Sequence, residues 1–131
     1  MPRFPDYFPN DAEKRIIDRG GEYICQKDVY RILPNGEVNH EAFLCTYVDP
    51  YAARTHYKST ITTYSTSLAD SVERLQDLLN TTMRSKYPKP GIAKGSIVPC
   101  CGPSTLPDDI HHIHWWIFED ATPERYFRKE E

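Results

Sequence analysis

Hydrophobic positions along this chain follow two different periods. Val29-Tyr30-Arg31-Ile32-Leu33 is a short β-branched and apolar run, and Pro34-Asn35-Gly36 after it is the strongest local turn signal in the sequence. Residues 42–48 and the Thr- and Tyr-rich stretch 59–65 suit pleated, half-buried surfaces, so both are expected as strands. The period then lengthens. Leu68, Val72, Leu75, Leu79 and Met83 recur three and four residues apart, which places them on one stripe of a helix. Ser67-Leu68-Ala69-Asp70 has the form of a capping box with Asp in place of Glu, and Pro88 and Pro90 end the pattern. Residues 91–98 can form a strand, 99–109 a loop, and 110–118 the most aromatic strand.

The two ends read differently. Residues 1–9 hold three prolines among Phe4, Tyr7 and Phe8, the composition of an extended arm pinned down by its aromatics. Asn10 then caps a short helix over 11–18, which Gly20-Gly21 stops, and Thr122-Pro123-Glu124 opens a short terminal turn. Strands thus come early and late around one good helix. The economical arrangement is α+β: a small mixed or antiparallel sheet packed against one main helix, 67–84, with short terminal helices. A doubly wound parallel sheet needs more crossover helices than the chain supplies. With no repeat and no linker, residues 10–131 form a single domain behind the arm of residues 1–9.

Composition narrows the classes. A chain of 131 residues fits one ordinary core, and 39% hydrophobic residues with nine Tyr, five Phe and two Trp supply the area to fill it. The net charge of −3 argues against general nucleic-acid or anionic-membrane binding. There is no leader-like apolar segment and no run of bilayer length, so a soluble, cytoplasmic protein with reduced thiols is expected. Cys25 and Cys45 fall in apolar, strand-like stretches, where a free thiol acts as a small hydrophobe.

Several residues carry candidate chemistry. His112 and His114 share one face of a strand, so with Cys100 or Cys101 they could hold zinc. Their spacing is not that of a finger or ribbon, and the expectation is no metal, with the His pair flanking Trp115 and Trp116. Arg84, Lys86 and Lys94 belong to a locally basic run that either caps the preceding helix or contacts an anion. Trp115 and Trp116 suit an interface, where aromatics are enriched.

The most specific arrangement has three parts: Arg31 on the first strand, Ser65-Thr66-Ser67 closing a second, and acids around a third, with Asp109 before it and Glu119 after it. This order resembles the Arg, Ser-Thr-Ser, Glu pattern of the ADP-ribosyltransferase superfamily. The resemblance implies NAD as cofactor, Arg31 on its phosphates or ribose, Ser65 bracing the acid, and Asp109 or Glu119 supporting the oxocarbenium-like transition state. The family places its Glu near the start of the third strand, where this chain has Ile110-His111-His112. A second resemblance covers more of the chain: VYRILPNGEVNHEAFLCTY, YSTS, AKG and HHIHWWIFEDATPERYF are similar to small uncharacterised proteins of bacterial mobile elements. It implies a bacterial, intracellular inhibitor or accessory factor. The leading expectation is therefore a binding module without cofactor whose partner is another protein, with the NAD-using enzyme as the alternative.

Overall fold

A computed structural model describes residues 2–50 and 60–130. Its centre is one antiparallel five-stranded sheet: β1 (Gln26–Leu33), β2 (Thr66–Ala69), β3 (Gly91–Ile97), β4 (His112–Trp115) and β5 (Phe127–Lys129), in the order β4-β2-β1-β3-β5. Two α-helices accompany it, α1 (Ala12–Asp18) and α2 (Val72–Asn80). The fold is α+β, as the periodicity predicts.

Side-chain alternation splits the core in two. Val29, Leu33, Leu68, Ala93, Ile113 and Trp115 point to one face, where Phe43 and Phe127 close the main core. Ile32 and Ala69 point to the other, under Leu75 of α2 and Tyr87. A third cluster joins α1 to the arm: Phe8, Ile16, Tyr64 and Trp116 are buried together, and Phe4 stacks against Phe8 and packs on Phe118 at 4.9 Å. The arm is held by aromatic contacts, as its composition suggests.

Several element boundaries differ from the sequence reading. The main helix is Val72–Asn80 rather than 67–84, because Ser67 and Leu68 are paired with His114 and Ile113 in the sheet. Ser71, not Ser67, is the N-cap, its hydroxyl accepting the Arg74 N–H at 3.2 Å. Leu68 therefore belongs to the main core; of the predicted stripe, Leu75 and Leu79 stay together on α2 with Leu78 beside them, Met83 joins their cluster from beyond the helix end, and Val72 is not part of it. The first helix starts after Asp11, which makes no side-chain cap, so Asn10 does not cap it.

Residues 42–48 are not a strand. Asn39 accepts the Ala42 N–H at 3.0 Å and opens a 3-10 turn, His40–Phe43. Of 59–65, Ile61–Tyr64 form another 3-10 turn, and residue 59 lies outside the described residues. The turn at Asn35-Gly36 does form, with Gly36 at φ +75°, yet it makes no hairpin because β1 pairs with β3 and β2. The short edge strand β5 is legible in no pattern of the sequence. Cys25 is exposed rather than buried, while Cys45 is buried as expected, and all four thiols are free.

Candidate functional site

The sheet divides in the middle. Six residues of β1 are registered with β3 and four of β2 with β4, but β1 and β2 meet only at Tyr30 and Ala69. Beyond that pair the two central strands diverge, and the turns around 42–47 wedge between them. Thr46 and Tyr47 donate their amides to the carbonyls of Ser65 and Thr63 at 3.2 and 2.9 Å, and the Thr66 hydroxyl donates to the Phe43 carbonyl at 2.8 Å. These bonds tie the wedge to the segment that leads into β2.

Arg31 fills the divergence. Its Nε donates to the Ala42 carbonyl and its Nη1 to the Ser67 carbonyl, both at 2.9 Å, so one side chain ties the wedge to β2. The residue is only 8% exposed, and burial pushes its pKa down, opposed by Tyr87, Asp49 and Cys45. A guanidinium stays charged even so, and among the described residues no carboxylate forms an ion pair with it.

Against this plug lies a cavity of about 280 Å³. Leu75 and Leu78 of α2 roof it, and Ile32, Leu68 and Ala69 line the strands. Met83 and Tyr87 also line it, as do Leu44, Thr46 and Asp49 of the wedge, Ile110 and His111 just before β4, and His112 at its start. Arg31, Arg74 and Lys86 also line it, so its polar lining is dominated by cations. Its size is at the small end of ligand pockets, which run roughly 300–1,000 Å³.

The proposed site residues divide. Arg31 is in this cleft, and of Ser65-Thr66-Ser67 it is Ser67 that lines it. Ser65 is fully buried elsewhere: its hydroxyl donates to the Thr62 carbonyl and meets His114 Nδ1, each at 2.8 Å, with no carboxylate as partner. Asp109 is exposed and Glu119 pairs with Arg3 at 2.8 Å; neither lines the cleft. Lys86 lines the cavity, sitting 5.3 Å over the Tyr87 ring. Arg84 is exposed outside it, and Lys94 sits by Asp28 at 3.7 Å in a separate groove with Arg125 and Arg128.

Trp115 and Trp116 are not surface residues. Both are completely buried, and their indole N–H groups donate to the carbonyls of Gly102 and Ile61 at 3.0 and 2.9 Å, so packing uses the area expected at an interface. His112 and His114 do share a face, with ring centroids 4.3 Å apart. Cys100, which meets the Tyr126 hydroxyl at 3.8 Å, and the buried Cys101 do not join them, and no group of three or more metal-ligating residues occurs among the described residues. Burial lowers the pKa of His112, and burial with the adjacent His112 lowers that of His114 to about 4. Burial and the adjacent Cys100 push the Cys101 thiol up to about 12.

Sequence reasoning missed the wedge residues Leu44, Thr46 and Asp49, and it saw His111 only as a neighbour of His112 and His114, not as a cleft residue. The signal for His111 was faint: Asp108 in the run Asp108-Asp109-Ile110 is a turn former, and its Oδ1 accepts the amides of Ile110 and His112 at 3.0 and 2.9 Å. No helix among the described residues is long and apolar enough to cross a membrane. Searches of family models, of curated proteins and of solved structures find no match to this chain.

Proposed function

We propose that this domain is a binding module whose site is the cleft between β1 and β2, and whose ligand is a small molecule carrying an anionic group on a flat apolar body. The observation that carries this reading is the buried Arg31 guanidinium, set without a carboxylate ion pair among the described residues in the wall of an apolar cavity. A guanidinium has five N–H donors, and the two backbone carbonyls use Nε and Nη1. The remaining donors suit a phosphate or carboxylate, and Arg74 and Lys86 add positive potential at the same cavity. A protein partner has less support, because both Trp residues are interior. The accessory role implied by the mobile-element resemblance remains compatible with small-ligand binding.

Calorimetric titration with benzoate and phenyl phosphate tests this. A charge-assisted hydrogen bond contributes about 1.5–3 kcal/mol, so Arg31→Met should weaken binding by roughly 10- to 100-fold. Arg31→Lys should fall between, since an ammonium cannot reproduce the bidentate contact. Lack of saturable binding by either anion to the wild type would exclude the reading.

A second reading, the NAD-using transferase, is supported by one observation: Arg31 and Ser67 line the same cleft. Asp109 and Glu119 lie outside it, so an acid would have to come from elsewhere. Saturable NAD binding that Arg31→Met abolishes would favour this reading; no response to NAD alongside clear phenyl phosphate binding would dismiss it.

A further inference from the structure

The same cleft carries a histidine–aspartate pair that binding alone does not require. His111 Nδ1 lies 2.8 Å from Asp70 Oδ1, and the His111 carbonyl accepts the Asp70 amide at 3.2 Å. Two bonds thus join residues 41 positions apart. His111 has φ +66°, a left-handed conformation uncommon outside glycine, held by the Asp108 turn on either side of it. The pair is not core: the side chains of His111 and Asp70 are 55% and 36% exposed, and His111 lines the cavity. With the Nδ1 proton donated to the carboxylate, the neutral ring keeps its lone pair at Nε2, the arrangement of an oriented general base.

We propose that Asp70 and His111 make this cleft hydrolytic, acting on a phosphate monoester of an aromatic alcohol. This rests on the anion-binding reading above. The cations Arg31, Arg74 and Lys86 favour a multiply charged phosphate, and the apolar walls favour a flat ring. The leaving group follows from the shape of the cavity. Its walls of Leu75, Leu78, Met83 and Tyr87 suit an aromatic ring, and burial lowers the pKa of His112, the other imidazole there. An aryl oxide leaves as an anion far more readily than an alkoxide, so it depends least on a proton donor.

In the step, His111 Nε2 takes a proton from water as the water oxygen forms its bond to phosphorus. The bond from phosphorus to the aryl oxygen breaks, and its electron pair leaves with the aryloxide. Arginine side chains hold the non-bridging oxygens, inorganic phosphate departs, and the imidazolium returns its proton to solvent. His111 is the general base, and Asp70 is a positioning residue that stabilises the imidazolium.

The test pairs turnover of 4-nitrophenyl phosphate with calorimetric binding of benzylphosphonate, which cannot be hydrolysed. The wild type should release 4-nitrophenolate. His111→Gln should lose at least about 100-fold in kcat, the lower bound expected of general-base catalysis, and still bind benzylphosphonate within about threefold. Asp70→Asn still accepts the Nδ1 proton but cannot stabilise the imidazolium, so kcat should fall about tenfold with KM unchanged. Benzylphosphonate binding with no turnover above the level of His111→Gln would overturn the hydrolytic step and leave the binding reading standing. Absence of benzylphosphonate binding to the wild type would remove both.

Discussion

Acid should destabilise this fold through His114, and the structure sets the size of the effect. The ring is clamped on the Ser65 hydroxyl at 2.8 Å, beside His112 at 4.3 Å between ring centroids and 6.0 Å from Trp116. Burial, the neighbouring His112 and Arg19 lower its pKa to about 4 from the ordinary 6.5, with Asp108 opposing. A histidine whose folded pKa lies below its unfolded value contributes stability that is complete above the unfolded pKa. That stability is lost as pH falls from 6.5 towards 4. At about 1.36 kcal/mol per pKa unit the full linkage is roughly 3 kcal/mol. The ring keeps some contact with solvent, which screens the interaction, so about 1–2 kcal/mol is expected.

Carboxylates titrate in the same range, so the informative quantity is a difference between two proteins. Urea unfolding of the wild type and of His114→Gln at pH 7.5 and pH 4.5 isolates it. The wild type should lose about 1–2 kcal/mol more than the variant, which for an m-value of roughly 1–3 kcal/mol/M is a readable shift of midpoint. Parallel loss in the two proteins would refute the reasoning and mean that His114 titrates near its ordinary value.

Two further expectations follow from packing. Leu75→Ala removes three carbons from a buried side chain, about 2.4 kcal/mol at roughly 0.8 kcal/mol per methylene, and the open cleft beside it limits the cavity penalty. Urea unfolding should therefore show a loss of about 2–3 kcal/mol, and a loss below about 0.5 kcal/mol would mean that α2 packs on a different face. Gly102→Ala places a methyl group against the Trp116 carbonyl at a backbone φ of +133°, so thermal melts should show a loss of at least about 2 kcal/mol or no folded protein. A melt like that of the wild type would contradict the close approach of the 99–102 turn to Trp116.

The elements legible in the sequence are those whose pattern and pairing agree. The β1 run, the β3 segment, the start of the terminal turn and the stripe under Leu75 all carry their local signal into the structure. Misreadings occurred where a long-range partner outweighed a local preference. Ser67 looks like a cap, but its neighbour Leu68 lies opposite Ile113 and is buried in the main core, so the strand continues and the cap falls to Ser71. Residues 42–48 have strand-like composition, yet the split sheet uses them as a wedge whose amides bond the segment before β2 and whose carbonyls accept from the Thr66 and Arg31 side chains. The site shows the same division. Arg31 enters the sequence reading through the Arg, Ser-Thr-Ser, acid order, and it does line the cleft. Ser65 is expected to brace an acid and the two Trp residues to face a partner, but Ser65 is buried against His114 and both Trp side chains are interior. The pair Asp70 and His111 is formed by folding alone and has no adjacent signal.

The central claim is that the divergence of β1 and β2 is a ligand site seated on Arg31. NMR titration of uniformly labelled protein with phenyl phosphate reads it directly, through the Arg31 Nε–H resonance and the amides of Ser67, Leu68 and Ala69. The account expects a saturable shift of all four with one dissociation constant, and little change at Lys94 or Arg128 in the separate basic groove. Shifts confined to that groove, or an Arg31 signal that stays fixed at saturating ligand, would show that Arg31 is only a structural tie between the wedge and the sheet.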